Sequence, residues 1–406
     1  MATAVLARKS GAPLILLLGV AVFLNYVDRG SVAVAAPVMK GELGLSAEAY
    51  GMAVSAFFWV YAPVQLFTGW LCDRFSVYKL LAAGILLWAG STMLMGLVGG
   101  FTSLLVLRIM LGVGESIAFP GSSKIIARHV PVEQRGVANA ALAMGIAFGP
   151  AVGTLAGGLM VANWGWRAMF IVFGLLTLIW LVPWQQLIRT LSVPAHEAAE
   201  RRVPTALLLR KWPLWSMSIV HCLGNYCFYF LLAWLPLFLV QSRGFTITQM
   251  TLLASLGYAV QGVCAFIYGH FSDWWTRSGR SEAVCRRGMM VISQAVAALS
   301  ILGLAYAHTA VEIGALLCLA GAATASLSMN LYAVAQMFAG PRAAGTWIGV
   351  QNALGNASGI FGPIVTGIIV QRVGYESAFL VTAAVAALGA IWWAVGVPRI
   401  EQVRFE

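Results

Sequence analysis

The chain has 406 residues, of which 60% are hydrophobic and only 10% are charged, and its formal net charge is +11. So few polar groups cannot cover the surface of a soluble globule of this size, which excludes a water-soluble enzyme or binding domain. The composition instead indicates a polytopic membrane protein.

Continuous apolar runs of membrane-spanning length recur along the chain and predict twelve transmembrane helices. The runs are too long and too uniformly apolar to be the alternating strands of a membrane barrel. The predicted spans cover residues 13–38, 49–70, 80–100, 101–121, 136–162, 166–188, 212–240, 247–271, 287–308, 311–338, 344–371 and 375–397.

A polar stretch at 190–211, with two prolines, four lysines and arginines, and one histidine, divides the spans six and six. We therefore predict a first six-helix bundle at 1–189, a cytoplasmic linker at 190–211 and a second bundle at 212–406. The halves also repeat short patterns, which predicts two pseudo-symmetric bundles with a binding site near the midplane. The repeated pairs are Gly69-x-x-x-Asp73 with Gly269-x-x-x-Asp273, and Gly149-Pro150 with Gly362-Pro363.

The basic residues follow the predicted topology. With a cytoplasmic N-terminus, 19 lysines and arginines lie on the cytoplasmic side and 4 on the other, namely Lys40, Arg167, Arg243 and Arg372. The positive-inside rule then predicts a multi-pass protein of the cell (inner) membrane with both termini in the cytoplasm. The net charge is thus explained by topology in the lipid bilayer, and we expect no nucleic-acid partner.

Four charged residues fall deep inside predicted spans: Asp28, Arg29, Arg108 and Glu115. A charge at the bilayer centre costs about 2.5 to 3.5 kcal/mol on insertion scales, so four charges indicate a functional cavity. Arg108 and Glu115 are seven positions apart and fall within about 20° of each other on one helix face. Asp28 and Arg29 are adjacent and diverge by about 100°, so one can face the cavity while the other contacts a neighbouring helix.

The charges of these four residues sum to zero, because each acid is matched by an arginine that cannot lose its proton. Protonation of one acid would leave a positive charge in a low-dielectric cavity, which an organic anion could neutralise through a carboxylate–guanidinium contact. This predicts that protons and an anion load together. Two alternatives stay open: a purely structural ion network, and sodium as the coupling ion.

Several motifs resemble known families. Gly69-Trp-Leu-Cys-Asp73-Arg74, with Lys79 beyond, resembles the loop motif of the major facilitator superfamily, although Ser76 replaces a usual glycine. Further segments resemble the anion:cation symporter family, which includes sugar-acid carriers and the sialin and vesicular glutamate carriers. They are Asn25-Tyr-Val-Asp28-Arg29 with Ala35-Ala36-Pro37, Arg108-Ile-Met-Leu-Gly112-Val-Gly114-Glu115 with Phe119-Pro120, Glu133-x-Arg135-Gly136, Trp164-Gly165-Trp166-Arg167-x-x-Phe170 and Trp234-Leu235-Pro236.

The resemblance implies an all-α major facilitator fold and roles for individual residues. It implies that Arg29 is the carboxylate ligand, that Asp28 and Glu115 are the protonatable positions, and that Tyr26 and Tyr61 hydrogen-bond the substrate. For each tyrosine, aromatic packing is the alternative.

Other candidates come from the sequence pattern. Arg108 shares the predicted cavity and is a substrate-binding candidate. Asn352 and Asn356, which lie one turn apart on one helix face, are also substrate-binding candidates. For these asparagines, interhelical hydrogen bonding is the alternative. Asp73 and Arg74, at a cytoplasmic helix end, are gating candidates. No metal site or organic cofactor is predicted.

We therefore expect a monomeric secondary active transporter, and not an enzyme, that takes up a small organic carboxylate with protons. The alternative is a proton-coupled efflux antiporter for drugs or organic anions, because Gly145-x-x-x-Gly149-Pro150-x-x-Gly153 resembles an antiporter motif. Ile146 occupies the position where sugar-acid carriers have a hydroxyl-reading glutamine, which favours a less hydroxylated substrate.

Overall fold

The structure is a computed structural model that describes residues 2–130, 135–191 and 204–405. Its described residues form helices and no strands, so the predicted all-α fold class is confirmed. The helices are α1 Ala2–Arg29, α2 Ser31–Glu42, α3 Ala47–Arg74, α4 Val77–Met95, α5 Phe101–Glu115, α6 Ala118–His129, α7 Arg135–Ile179, α8 Leu181–Ile188, α9 Thr205–Leu209, α10 Trp212–Leu237, α11 Ile247–Arg277, α12 Glu282–Tyr306, α13 Ala310–Asn356, α14 Ser358–Arg372 and α15 Tyr375–Ile391. Helices α10 and α15 continue as short π-helices, Phe238–Ser242 and Trp392–Gly396.

Within the described residues, ten stretches are long and apolar enough to cross a membrane. One of them, Ala140–Ile188, contains a non-helical break at Gly165 and so comprises two helical segments. Helix α3, Ala47–Arg74, is a further apolar helix of 28 residues. This arrangement agrees with the twelve predicted spans.

Two tight turns repeat in corresponding places and need glycine. Gly165 and Gly374 have φ angles of 81° and 102°, a region that residues with a Cβ rarely adopt. Each glycine precedes an aromatic residue and is followed five positions later by a fully buried phenylalanine, Phe170 or Phe379. The turns therefore belong to the same repeat that the glycine–proline pairs indicate.

The chain divides into two compact units, Met1–Leu45 with Ala56–Ala198 and Ser46–Ser55 with Ala199–Glu406. Ser46–Ser55, which includes the start of α3, is thus part of the second unit, where the Tyr50 hydroxyl donates to the backbone oxygen of Ala233 at 2.9 Å. Much of the predicted 190–211 linker lies outside the described residues, so the boundaries 1–189 and 212–406 stay a prediction.

Close helix packing in the first unit depends on glycines of α7. A Cβ added at Gly145 would lie 2.8 Å from the backbone nitrogen of Phe23, and one at Gly153 would lie 2.7 Å from Cα of Val27. Without side chains in the way, α7 approaches the backbone of α1, and this contact fixes the rotation of α1 just before Asp28 and Arg29.

Candidate functional site

Three of the four predicted in-membrane charges, Asp28, Arg29 and Glu115, lie where spanning helices are interrupted. Helix α1 ends at Arg29 and α2 begins at Ser31, whose hydroxyl donates to the backbone oxygen of Asp28 at 2.6 Å. Helix α5 ends at Glu115, and the hydroxyl of Ser116 donates to the backbone oxygen of Val113 at 2.7 Å. Serine hydroxyls that bond backward to helix carbonyls compete with the regular backbone ladder and favour such interruptions.

Arg29 forms a buried ion pair with Glu115. Its Nε lies 3.2 Å from Oε2 of Glu115, and the same nitrogen also donates to Oδ1 of Asn25, one turn earlier, at 3.2 Å. The Arg29 side chain is 9% exposed and that of Glu115 is 0% exposed. The structure thus joins α1 to α5 through charges that are 86 residues apart in the sequence.

An aromatic frame surrounds the two arginines. The guanidinium carbon of Arg29 lies 4.8 Å from the ring centre of Tyr26 and 4.6 Å from that of Tyr61. The ring of Phe57 lies 5.5 Å from the guanidinium of Arg29 and 5.1 Å from that of Arg108. Cation–π contacts stabilise a guanidinium without neutralising its charge, so the frame orients both arginines and leaves them able to bind an anion.

Asp28 contacts a different helix from Arg29, as the divergence of adjacent helical residues requires. Its Oδ2 accepts hydrogen bonds from Nε1 of Trp88 at 2.6 Å and from the hydroxyl of Thr92 at 3.4 Å, both on α4. Asp28 is 1% exposed, and no residue in the described part of the chain forms a hydrogen bond to its second oxygen, Oδ1. The two acids are therefore held in two separate environments.

The helix bearing Glu115 is also positioned by glycines. Gly112 packs against the backbone of Phe57 on α3, and a Cβ on Gly114 would lie 2.7 Å from the backbone nitrogen of Trp88 on α4. The face that carries Arg108 and Glu115 is therefore in contact with α3 at Gly112. These contacts bring Glu115 between the helices that carry Arg29 and Trp88.

Two buried carboxylate oxygens of this site stand out by their lack of hydrogen bonds within the described part of the chain. Among the described residues, Oε1 of Glu115 and Oδ1 of Asp28 are buried carboxylate oxygens without a hydrogen-bond partner, and each can take a proton without breaking a bond. Buried polar atoms are usually paired, so such groups mark places where a proton, a ligand or water belongs.

The second unit contains its own polar cluster. The Tyr332 hydroxyl donates to Oδ1 of Asn352 at 2.8 Å, and the amide nitrogen of Asn356 donates to the backbone oxygen of Asn352 at 2.8 Å. The Tyr229 hydroxyl donates to Oδ1 of Asn356. Asn356 ends α13 and is 4% exposed. Both predicted asparagines thus belong to one network within this unit.

The remaining candidates are placed as follows. Arg74 is the last residue of α3 and is exposed, whereas the side chain of Asp73 lies outside the described part of the chain. Across the described residues, no three His, Cys, Asp or Glu side chains form a group that could hold a metal ion.

Sequence reasoning did not assign roles to Trp88 and Thr92, or to Asn25, which it quoted only as part of a motif. Trp88 and Thr92 are one turn apart in an apolar helix and are both fully buried. A polar atom at each of two adjacent turns is the pattern that could have pointed to a partner on a neighbouring helix.

Comparison with known proteins places this geometry in context. Residues 18–281 and 281–405 match the family described as the Major Facilitator Superfamily. Over 390 residues the chain is 30% identical to the probable anion transporter 4, chloroplastic, of Oryza sativa subsp. japonica; the match covers 91% of this chain and 65% of that protein. It is 28% identical over 408 residues to the probable galactarate/D-glucarate transporter of Bacillus subtilis, covering 91% of this chain and 87% of that one.

A solved structure has the same fold. A bacterial homologue of the human lysosomal transporter Spinster, in an inward-facing and occupied conformation, superposes with a TM-score of 0.78 at 18% identity. The superposition covers 95% of this chain and 96% of that one. At this identity the likeness shows the fold alone, and it agrees with the two-bundle major facilitator architecture predicted from the sequence.

Proposed function

The chain belongs to the Major Facilitator Superfamily, and from this membership and the surroundings of Arg29 we propose that it takes up an organic carboxylate anion together with protons, by alternating access. It is a membrane transporter and not an enzyme. The observation that carries the proposal is the buried Arg29–Glu115 ion pair within the aromatic frame of Tyr26, Phe57 and Tyr61.

The ion pair supplies a coupling mechanism. A substrate carboxylate and Glu115 compete for the same guanidinium, and a guanidinium binds a carboxylate best through two parallel hydrogen bonds. When Glu115 is protonated it stops competing, and the uncompensated positive charge of Arg29 attracts the anion. Proton binding and anion binding therefore favour each other, and the site stays close to neutral in both loaded and empty forms.

The remaining residues take supporting roles in this proposal. Arg108, which shares the Phe57 ring with Arg29, adds positive potential and a second contact for the anion. Asp28 carries a further proton. Its carboxylate is held away from Arg29 by hydrogen bonds from Trp88 and Thr92 on α4. Asn352 and Asn356 bind other polar groups of the substrate, and Asp73 with Arg74 acts in gating.

The relatives narrow the substrate class. The names of the rice and Bacillus proteins refer to an anion and to galactarate and D-glucarate. Organic anions are thus the class to test first. Ile146, which has no hydrogen-bonding group, favours acids with fewer hydroxyls. A monomer in the inner cell membrane, with both termini cytoplasmic, completes the proposal.

Efflux by antiport is the second candidate, and the glycine motif of α7 favours it. Gly145, Gly149 and Gly153 all lie against the backbone or Cβ atoms of α1. The matched acids and arginines next to this contact suit an anion better than a cationic drug. An acidic exterior drives symport of the anion inward but antiport of the anion outward. Accumulation inside a liposome by antiport therefore requires an acidic interior.

The test uses purified protein in liposomes. A thermal-shift screen at two pH values with sugar acids, aromatic acids and short-chain acids first identifies a ligand, because binding raises apparent stability. Uptake of that ligand is then measured with an acidic exterior, in sodium-free and sodium-containing buffer. We expect sodium-independent uptake that is lost in Arg29→Ala.

The matched control is Arg167→Ala, which removes an arginine paired with Glu42 and half exposed. This variant should keep transport. Uptake that survives Arg29→Ala would refute the carboxylate role of Arg29. Accumulation driven only by an acidic interior would instead support the antiport candidate. Uptake that requires sodium would show that sodium, and not the proton, is the coupling ion.

A further inference from the structure

Asp28 has an unusual set of neighbours for a proton-carrying acid. Of the charged residues of the site, Arg29 is next to it on its own helix, and Arg108 and Glu115 lie on α5. Helix α7 has no charged residue between 140 and 164, and α4 has none beyond Lys79. The hydrogen bonds to the carboxylate come from neutral groups, the indole of Trp88 and the hydroxyl of Thr92.

The two donors differ in what they can do. An indole N–H can only donate a hydrogen bond, whereas a threonine hydroxyl can donate to a carboxylate or accept from a protonated acid. Trp88 therefore favours the ionised form of Asp28, and Thr92 can serve both forms. At 2.6 Å the Trp88 contact is also the shorter of the two.

Trp88 is held rigidly in place. It is 0% exposed, and its backbone lies where Gly114 leaves room, since a Cβ on Gly114 would be 2.7 Å from the Trp88 nitrogen and 2.8 Å from its Cβ. Gly114 immediately precedes Glu115, so the same tryptophan contacts the helix end that carries one acid and the carboxylate of the other. A donor that cannot move away keeps its effect on the acid it contacts.

We propose that Trp88 is a positioning residue for the proton on Asp28: its indole N–H holds the ionised carboxylate and sets the pH at which Asp28 takes up a coupling proton. This inference rests on the proposed function, in which Asp28 carries a proton. It gives Trp88, which lies outside the charged site, a part in coupling.

The experiment measures the pH dependence of uptake in liposomes for Trp88→Phe. Loss of a hydrogen bond to a charged acceptor should make Asp28 easier to protonate, so the pH of half-maximal uptake should rise by about one unit or more. Replacing Trp88 with benzothienylalanine, in which sulfur takes the place of the N–H, should give the same shift while preserving the packing of the ring.

Trp184→Phe is the matched control, because Trp184 is also 0% exposed in the first unit but donates to a backbone oxygen, that of Tyr78, at 3.3 Å. Its pH profile should match that of the unaltered protein. In an Asp28→Asn background, Trp88→Phe should cause no further shift, because the group that it acts on can no longer titrate.

Two results would overturn the inference, and they are distinguishable. If Asp28→Asn alters the pH profile but neither Trp88 variant does, the role of Trp88 is wrong and the proton role of Asp28 stands. If Asp28→Asn itself leaves the profile unchanged, Asp28 carries no coupling proton, and that part of the proposed function fails as well.

Discussion

Glu115→Gln is the most informative perturbation of the site, because it removes a negative charge and changes the side-chain volume little. In the structure Oε2 of Glu115 lies 3.2 Å from Nε of Arg29, and both side chains are at least nine-tenths buried. Glutamine keeps an oxygen that can accept from Arg29, but it cannot neutralise the guanidinium. The variant therefore imitates the protonated acid at every pH.

The size of the effect follows from the interaction that is lost. A hydrogen bond to a charged partner contributes about 1.5 to 3 kcal/mol net. Because a substrate carboxylate must displace Glu115 from Arg29, removing this competition should tighten anion binding about tenfold to a hundredfold at pH values where Glu115 is ionised. The empty variant should also unfold at a lower temperature, because an uncompensated buried charge is strongly destabilising.

Isothermal titration of the ligand between about pH 5 and 8 would measure this. For the unaltered protein, affinity should fall by up to about tenfold per pH unit on the alkaline side, because a proton is bound with the anion. For Glu115→Gln we expect little pH dependence from this position, together with loss of tightly coupled transport. Glu42→Gln is the control. The carboxylate of Glu42 also pairs with an arginine, but its side chain is 46% exposed, so this variant should behave as the unaltered protein. Equal affinities and identical pH profiles for Glu115→Gln and the unaltered protein would refute the competition between Glu115 and the anion.

Three further predictions follow from single contacts. Tyr61→Ala should weaken anion binding about twofold to thirtyfold in a binding assay, because the cation–π contact with Arg29 is lost. Tyr61→Phe keeps the ring and should bind the anion with close to normal affinity. Equal weakening in both variants would show that the hydroxyl matters instead. Gly149→Ala should lower the apparent melting temperature by several degrees, because the added methyl group would lie 2.6 Å from Cβ of Tyr26 on α1. Gly90→Ala is the control and should be neutral or stabilising, because nothing lies within 4 Å of the added methyl group. A larger loss of stability in Gly90→Ala than in Gly149→Ala would contradict the packing. Arg243→Gln should reduce thermal stability but leave ligand affinity unchanged, because the Arg243 guanidinium donates hydrogen bonds to backbone oxygens at the C-terminal end of α12. A loss of ligand affinity without a loss of stability would show that Arg243 belongs to a binding site.

Much of the candidate site could be found from the sequence, but its pairing could not. The insertion cost of charges in apolar helices was enough to single out Asp28, Arg29, Arg108 and Glu115. Helix periodicity correctly indicated that Asp28 and Arg29 point in different directions. It could not show that Arg29 pairs with Glu115 or that Asp28 pairs with Trp88, because these partners are 86 and 60 residues away and their meeting depends on which helices are neighbours.

The sequence by itself determined the membrane class, the number of spans and the family, because hydrophobic length and local motifs are properties of short segments. The tertiary structure decided which oxygen faces which donor. That choice depends on helix contacts at Gly112, Gly114 and Gly149, where the absence of a Cβ allows backbones to approach closely and sets the rotation of each helix. A charge count gives the same total for any rotation, whereas the proposed coupling between a proton and an anion depends on the contact between Glu115 and Arg29.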